Sequence, residues 1–155
     1  MDIARTSSMN SPTLLATLEV YFEAFAERDS GRRGELLSRC FTERGEIWGP
    51  NQLFAGHAAI SEKIARFHDN WPGCRLVLAT GVTTFSNFMR FGNAIVGVDG
   101  SVLATGETII ELAPNGRMSR VVPFWEAALP LLPDTWPKHL AVSTSPAPDG
   151  TQPGQ

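Results

Sequence analysis

The sequence predicts an α+β domain: a curved antiparallel sheet that forms a cone, with three helices from the N-terminal half packed on its concave face. Three observations predict it. Apolar residues recur at helical spacing from Leu14 to Phe25 and again from Ile60 to Trp71. After Cys74 the period changes to that of strands. Asp99-Gly100 and Asn115-Gly116 then mark tight hairpins, since both pairs tolerate the positive φ such turns need. Helices first and a meander after them give a two-layer α+β architecture.

The elements follow in order. Residues 1–10 read as a flexible arm. Ser11-Pro12 reads as an N-cap with Pro at the first helical position. Leu14, Leu18, Tyr21, Phe22 and Phe25 form the first stripe, and Asp29-Ser30-Gly31 stops the helix. A second, short helix carries Leu36, Leu37, Cys40 and Phe41 inward, with Arg32, Arg33, Glu35 and Arg39 as its wet face. A short strand, Gly45 to Trp48, turns at Pro50-Asn51 and pairs back through Leu53-Phe54-Ala55. The third helix starts near His57, carries Ile60, Ile64, Phe67, His68 and Trp71 on one stripe, and ends at Pro72-Gly73. Four long strands are predicted over 75–85, 88–98, 101–112 and 118–127. The domain is expected to span 11–132, and the Pro/Ser/Gly-rich segment 133–155 to be a largely disordered tail, with Trp136 a candidate to dock back.

Composition narrows the function. The chain has 155 residues, suited to one domain. Its net charge is −3 and no Lys/Arg run stands out, which argues against a nucleic-acid surface. Cys40 and Cys74 form no C-x-x-C motif, so neither a metal site nor a redox pair is expected. Both read as small buried hydrophobes. The first residues lack the apolar segment of a secretory leader. No apolar run reaches the ~18 residues of a membrane span. No membrane association and a cytoplasmic location are expected, with no cofactor.

Several short motifs resemble those of the nuclear transport factor-like cone superfamily, which includes ketosteroid isomerase and the SnoaL-type polyketide cyclases. They are Tyr21 eight residues before Asp29, the strand Gly45–Gly49 closed by Pro50, and the helix start Phe54-x-Gly56-x-x-Ala59-Ile60. Asn115-Gly116-Arg117-Met118 leading into Val121-Val122-Pro123-Phe124-Trp125 completes the set. The resemblance covers roughly residues 12–130 and implies a cone with a lipophilic pocket. One fold hosts many chemistries, so the residues decide the reaction.

The isomerase relative uses a carboxylate base, with a Tyr and a protonated Asp holding the oxyanion. Tyr21 falls on the Tyr position, but the base position is Gly49 and the second acid position is Thr108. Thr108 can donate a hydrogen bond but cannot move protons near neutral pH. Limonene epoxide hydrolase, another relative, needs Arg and Asp two apart on one strand. Here Arg90 is followed at that spacing by Gly92. SnoaL-type cyclases use a cavity His and Asp. His68 is the histidine on an inward stripe, and the central strands hold no Asp. Glu107 and Glu111 alternate onto the face opposite Thr108.

Tyr21, His68 and Thr108 are therefore the catalytic candidates: Tyr21 and Thr108 to polarise an oxygen, His68 to transfer a proton. Each has a structural alternative: Tyr21 as a core residue with a satisfied hydroxyl, His68 as a helix-end residue at the rim. Phe25, Trp48, Phe54, Phe67, Trp71, Arg90, Val121, Pro123 and Trp125 are the candidate ligand-binding residues. Arg90 either enters the cone or sits on the outer face against Glu107 or Glu111. Val121, Pro123 and Trp125 share one face of their strand, while Val122 and Phe124 point outward and hint at a homodimer through the sheet. Two functions stay open. One is a SnoaL-like enzyme that isomerises, cyclises or dehydrates a lipophilic, carbonyl-bearing metabolite. The other is a non-catalytic ligand-binding or dimerisation module. The enzyme reading requires Tyr21, His68 and Thr108 to meet at one void.

Overall fold

The computed structural model describes residues 11–125. The arm 1–10, the last residues assigned to the domain, Trp136 and the tail lie outside the described residues. The order is α1 (Ser11–Ala26), α2 (Ser30–Cys40), β1 (Phe41–Trp48), β2 (Leu53–Ala55), α3 (His57–Asn70), β3 (Arg75–Leu78), β4 (Thr83–Phe85), β5 (Phe88–Val96), β6 (Val102–Leu112) and β7 (Met118–Trp125). The strands make one open seven-stranded sheet, ordered β2-β1-β7-β6-β5-β3, with β4 also pairing β5.

Three helices and a curved sheet appear as the sequence predicts, with one correction. The sheet is mixed, because β1 pairs β7 in parallel while every other pair is antiparallel. The last strand returns beside the first across most of the chain, and no local periodicity records that pairing. The β1–β7 register slips between Phe41 and Glu46. Gly45 sits in this slip: a Cβ there would lie 2.7 Å from Phe41 Cδ1 and 3.1 Å from the Met118 carbonyl oxygen. Such an irregularity bends a strand and helps the sheet curl over the helices.

Boundaries moved where local hydrogen bonds overrode the pattern. Phe41, expected on the second helix, opens β1 and is fully buried. The single strand predicted over 75–85 is two. Ala79 and Thr80 both donate to the Gly92 carbonyl, at 2.8 and 3.3 Å, and the Thr80 hydroxyl accepts the Gly92 N–H at 2.6 Å. That local clamp interrupts the ladder between β3 and β4.

The helices bury their stripes. Leu14, Leu18, Tyr21 and Phe25 from α1 meet Leu36, Leu37 and Cys40 from α2 and Ile60 and Ile64 from α3, over Phe41, Ile47, Phe91, Ile110 and Val121 of the sheet. Asp29 does more than stop α1. Its carboxylate caps α2 by accepting the Arg32 N–H at 2.8 Å, an arrangement worth about 1 kcal/mol. Arg33 corrects the expected wet face, being 4% exposed. Its Nε donates to Ser61 Oγ at 2.8 Å and its Nη1 to the Glu27 carbonyl at 2.9 Å. It thus closes the carbonyl end of α1 and ties that end to α2 and α3. Cys40 is buried and its thiol is pushed up to about 12, chiefly by burial, so it packs as a small hydrophobe. Cys74 is only partly buried and unpaired.

Candidate functional site

The strands that face the helices set the floor of a cavity by parity. On β5 the inward residues are Met89, Phe91, Asn93 and Ile95; on β6 they are Thr108 and Ile110; on β7 they are Val121, Pro123 and Trp125. Three of these rows approach the helices closely and fill with core side chains. Further along the sheet the helices stand off, leaving a cavity of ≈ 280 Å³. Phe25, Ile47, Phe54, Phe67, Trp71, Leu76, Ile95, Pro123 and Trp125 form its apolar wall. Gly106 pairs with Trp125 across the ladder, and a Cβ there would lie 2.5 Å from the Phe124 carbonyl oxygen and 2.9 Å from that indole, so the missing side chain lets the two strands and the ring approach this closely.

Three polar side chains line the interior: Tyr21, Thr108 and Asn93. Tyr21 is 4% exposed, lines the cavity, and its hydroxyl has no hydrogen-bond partner among the described residues. Burial, with a smaller contribution from Cys40, raises its phenol further above its ordinary value, so it is a neutral O–H donor. Across from it, Thr108 and Asn93 are 1% and 3% exposed. The Thr108 hydroxyl donates to Asn93 Oδ1 at 3.0 Å. This bond leaves the Asn93 amide N–H groups as the donors that face the cavity. Asn93 is a residue that sequence reasoning missed. Its signal was a lone amide at an inward position of an otherwise apolar strand.

The mouth is formed by α3. Lys63, Arg66 and Asn70 border the cavity there beside Phe67 and Trp71. The Lys63 ammonium lies 5.2 Å from the Phe54 ring centroid, and burial lowers its pKa. Arg66 pairs with Glu62 at 2.6 Å. Among the described residues, no Asp, Glu or His lines the cavity. Among the described residues there is also no His/Cys/Asp/Glu cluster able to hold a metal.

The other candidates lie elsewhere. His68 does not reach the cavity. A helix advances 100° per residue, so Ile60, Ile64 and His68 form one i, i+4 row turned toward the α1–α2 seam, while Lys63, Phe67 and Asn70 form the row at the mouth. Both ring nitrogens of His68 are sealed from solvent without a hydrogen-bond partner. Burial first, then Arg28 and Arg33, hold its pKa below the ordinary 6.5 against smaller opposing effects of the Phe25 carbonyl and Asp69. The proton-transfer role expected of it has no geometric basis. His57 is committed to β1, its Nε2 lying 2.9 Å from the Thr42 carbonyl oxygen.

Trp48 also falls outside. Alternation places Ile47 inward, while Trp48 is 44% exposed, donates from Nε1 to Glu46 at 3.0 Å and stacks under Arg120. Arg90 is on the outer face, paired with Glu107 at 3.2 Å. Val121 shares the inward face but is fully buried in the core below the cavity. Gly49 lies in the β1–β2 turn, its N–H donating to the Gln52 carbonyl at 2.7 Å. So Tyr21 and Thr108 border one void with Phe25, Phe54, Phe67, Trp71, Pro123 and Trp125, and His68, Trp48, Arg90 and Val121 do not.

No family model matches the sequence, and no curated protein matches it. Solved structures do. A candidate isomerase of the SnoaL-like family from Agrobacterium tumefaciens str. C58 superposes with TM-score 0.68 at 29% identity, over 74% of this chain and 98% of that one. A candidate SnoaL-like polyketide cyclase from Jannaschia sp. CCS1 gives 0.63 at 16% identity, over 77% and 90%. An NTF2-like protein of unknown function from Exiguobacterium sp. 255-15 gives 0.55 at 20%, over 71% and 98%. The last two likenesses speak for the fold alone; with the first, and with the cone and its inward cavity, they make this chain a member of the SnoaL-like, NTF2-like superfamily.

Proposed function

We propose that the protein is a SnoaL-like small-molecule enzyme acting on a flat, lipophilic metabolite that carries a carbonyl group. The observation that supports this most is the buried Tyr21 phenol on the lining of an apolar cavity, its hydroxyl without a hydrogen-bond partner among the described residues, with the Asn93 amide on the sheet side. Two neutral donors in a largely apolar site stabilise negative charge that develops on a carbonyl oxygen as water at the mouth takes the neighbouring carbon's proton, the step shared by isomerisation, cyclisation and dehydration next to a carbonyl. Thr108 acts through Asn93: its hydroxyl fixes the amide so that the N–H groups are turned to the cavity. No bound cofactor enters the proposal. A second reading is a non-catalytic binding module, favoured by the lack of a carboxylate or imidazole among the described residues of the cavity wall.

A neutral flat ketone, 2-acetylnaphthalene, separates the two. Either reading expects it to bind and its carbonyl stretch to move to lower frequency. Tyr21→Phe should reverse much of that shift and weaken binding roughly three- to tenfold, the worth of one net hydrogen bond. An enzyme should also speed exchange of the acetyl protons with deuterium over buffer; a binding module should not. A bound ketone with an unshifted carbonyl sinks the donor roles. The homodimer remains part of the proposal, supported by Phe124 standing 56% exposed on the outer face, and sedimentation would test it. No helix among the described residues is long and apolar enough to cross a membrane.

A further inference from the structure

The cavity has uncharged donors inside and two cations at its mouth. Lys63 and Arg66 are three residues apart on α3, so they project to the same side, and Asn70 follows one turn later. Among the described residues, no acid lines the cavity to balance them. Arg66 has one partner, Glu62, on its solvent side. Lys63 enters no ion pair among the described residues and rests instead over the Phe54 ring. We propose that the ligand is amphipathic: an apolar body with its carbonyl at Tyr21 and Asn93, and a carboxylate at the mouth held by Lys63 and Arg66.

The physical argument is one of compensation. A half-buried ammonium has lost part of its hydration, which is why burial lowers the Lys63 pKa. An anion arriving at the mouth favours the charged form and makes charge-assisted bonds, about twice as strong as neutral ones. Arg66 still has N–H groups beyond the one bonded to Glu62, since its guanidinium carries five donors. An anion deeper in the cavity would meet only Tyr21, Asn93 and aromatic surface, too few partners for a desolvated charge. The polar gradient therefore also fixes orientation: neutral oxygen inward, carboxylate outward.

This inference rests on the cavity being the ligand site, and the experiment keeps the two apart. The probes are 6-acetyl-2-naphthoate and its methyl ester, which share a flat apolar body and a ketone at one end but differ in charge at the other. Binding is followed by quenching of Trp fluorescence at two salt concentrations. The expected result is naphthoate binding about three- to tenfold tighter than the ester at low salt, an advantage that shrinks as salt rises. Lys63→Gln with Arg66→Gln should remove that advantage and leave ester binding intact, which also shows that the variant is folded. Equal binding of both probes overturns the anionic end and leaves the cavity reading standing. A naphthoate preference that survives the double substitution overturns the assignment to these residues. Binding of neither probe overturns both.

Discussion

On the cavity face of the β5–β6 ladder, Thr108 and Asn93 are buried and share one hydrogen bond of 3.0 Å. On the outer face of the same ladder, Arg90 and Glu107 form an ion pair at 3.2 Å with both side chains more than half exposed. Glu107 and Thr108 are neighbours in the chain. A single step of strand parity turns a group from solvent-screened to dry, and with it the worth of its partner. The uncharged pair in the dry place is the consequential one, although formal charge suggests the opposite.

The largest expected effect is therefore on the cavity face. Thr108→Val keeps the shape but leaves Asn93 Oδ1 without its donor. The expected loss is about 1–3 kcal/mol of stability, seen as a lower urea midpoint with an unchanged slope. Binding of 2-acetylnaphthalene should weaken as well, because the amide loses its fixed orientation. Thr108→Ser should recover both. A neutral outcome for Thr108→Val would mean that water replaces the hydroxyl and that the pair positions nothing.

How far the sequence carries depends on the range of the interaction involved. The α1 stripe, the caps and the Asp99-Gly100 and Asn115-Gly116 turns are local, and the elements they imply are present. The parallel β1–β7 pairing joins distant segments, and no local period predicts it. In the site, Tyr21 and the aromatic wall could be read from position on their elements. Trp48 could not: within β1 inward and outward residues are set by the slip at Gly45, which pairing with β7 creates. His68 was misplaced because a wide apolar stripe on α3 serves two directions, and its 64–68 row leans away from the cavity. Lys63 and Arg66 escaped notice since charged residues on a helix read as solvated until the wall beside them is known.

His68 sharpens the comparison by separating burial from function. It is a partly buried residue whose ring nitrogens are sealed from solvent, have no hydrogen-bond partner among the described residues and do not border the cavity. Its folded pKa lies below the unfolded value of 6.5. The unfolded chain therefore takes up the proton first, and stability should fall as pH drops through and below 6.5. Arg28 and Arg33 oppose the charged form from nearby, while Asp69 favours it. Thermal midpoints measured from pH 7.5 to 5 should fall, and His68→Phe should flatten that decline without altering ketone binding at neutral pH. If His68→Phe abolishes ketone binding while the fold stays intact, the imidazole reaches the ligand after all and its exclusion from the site is wrong.

The smallest effect belongs to the outer face. Arg90→Ala, Glu107→Ala and the double variant should show a coupling of about 0.5 kcal/mol or less, since an exposed pair is screened by water and salt. This prediction tests exposure as much as electrostatics. Phe124 pairs with Glu107 on the neighbouring strand and stands on the same outer face. A second copy of the chain seated there would dry the ion pair. The coupling would then grow with protein concentration, in step with the fraction of dimer. A small coupling that is independent of concentration marks this part of the sheet as open water-facing surface. A coupling well above 1 kcal/mol that fades on dilution places the dimer contact across Arg90 and Glu107, and the two faces of the ladder would then differ in what covers them rather than in whether they are covered.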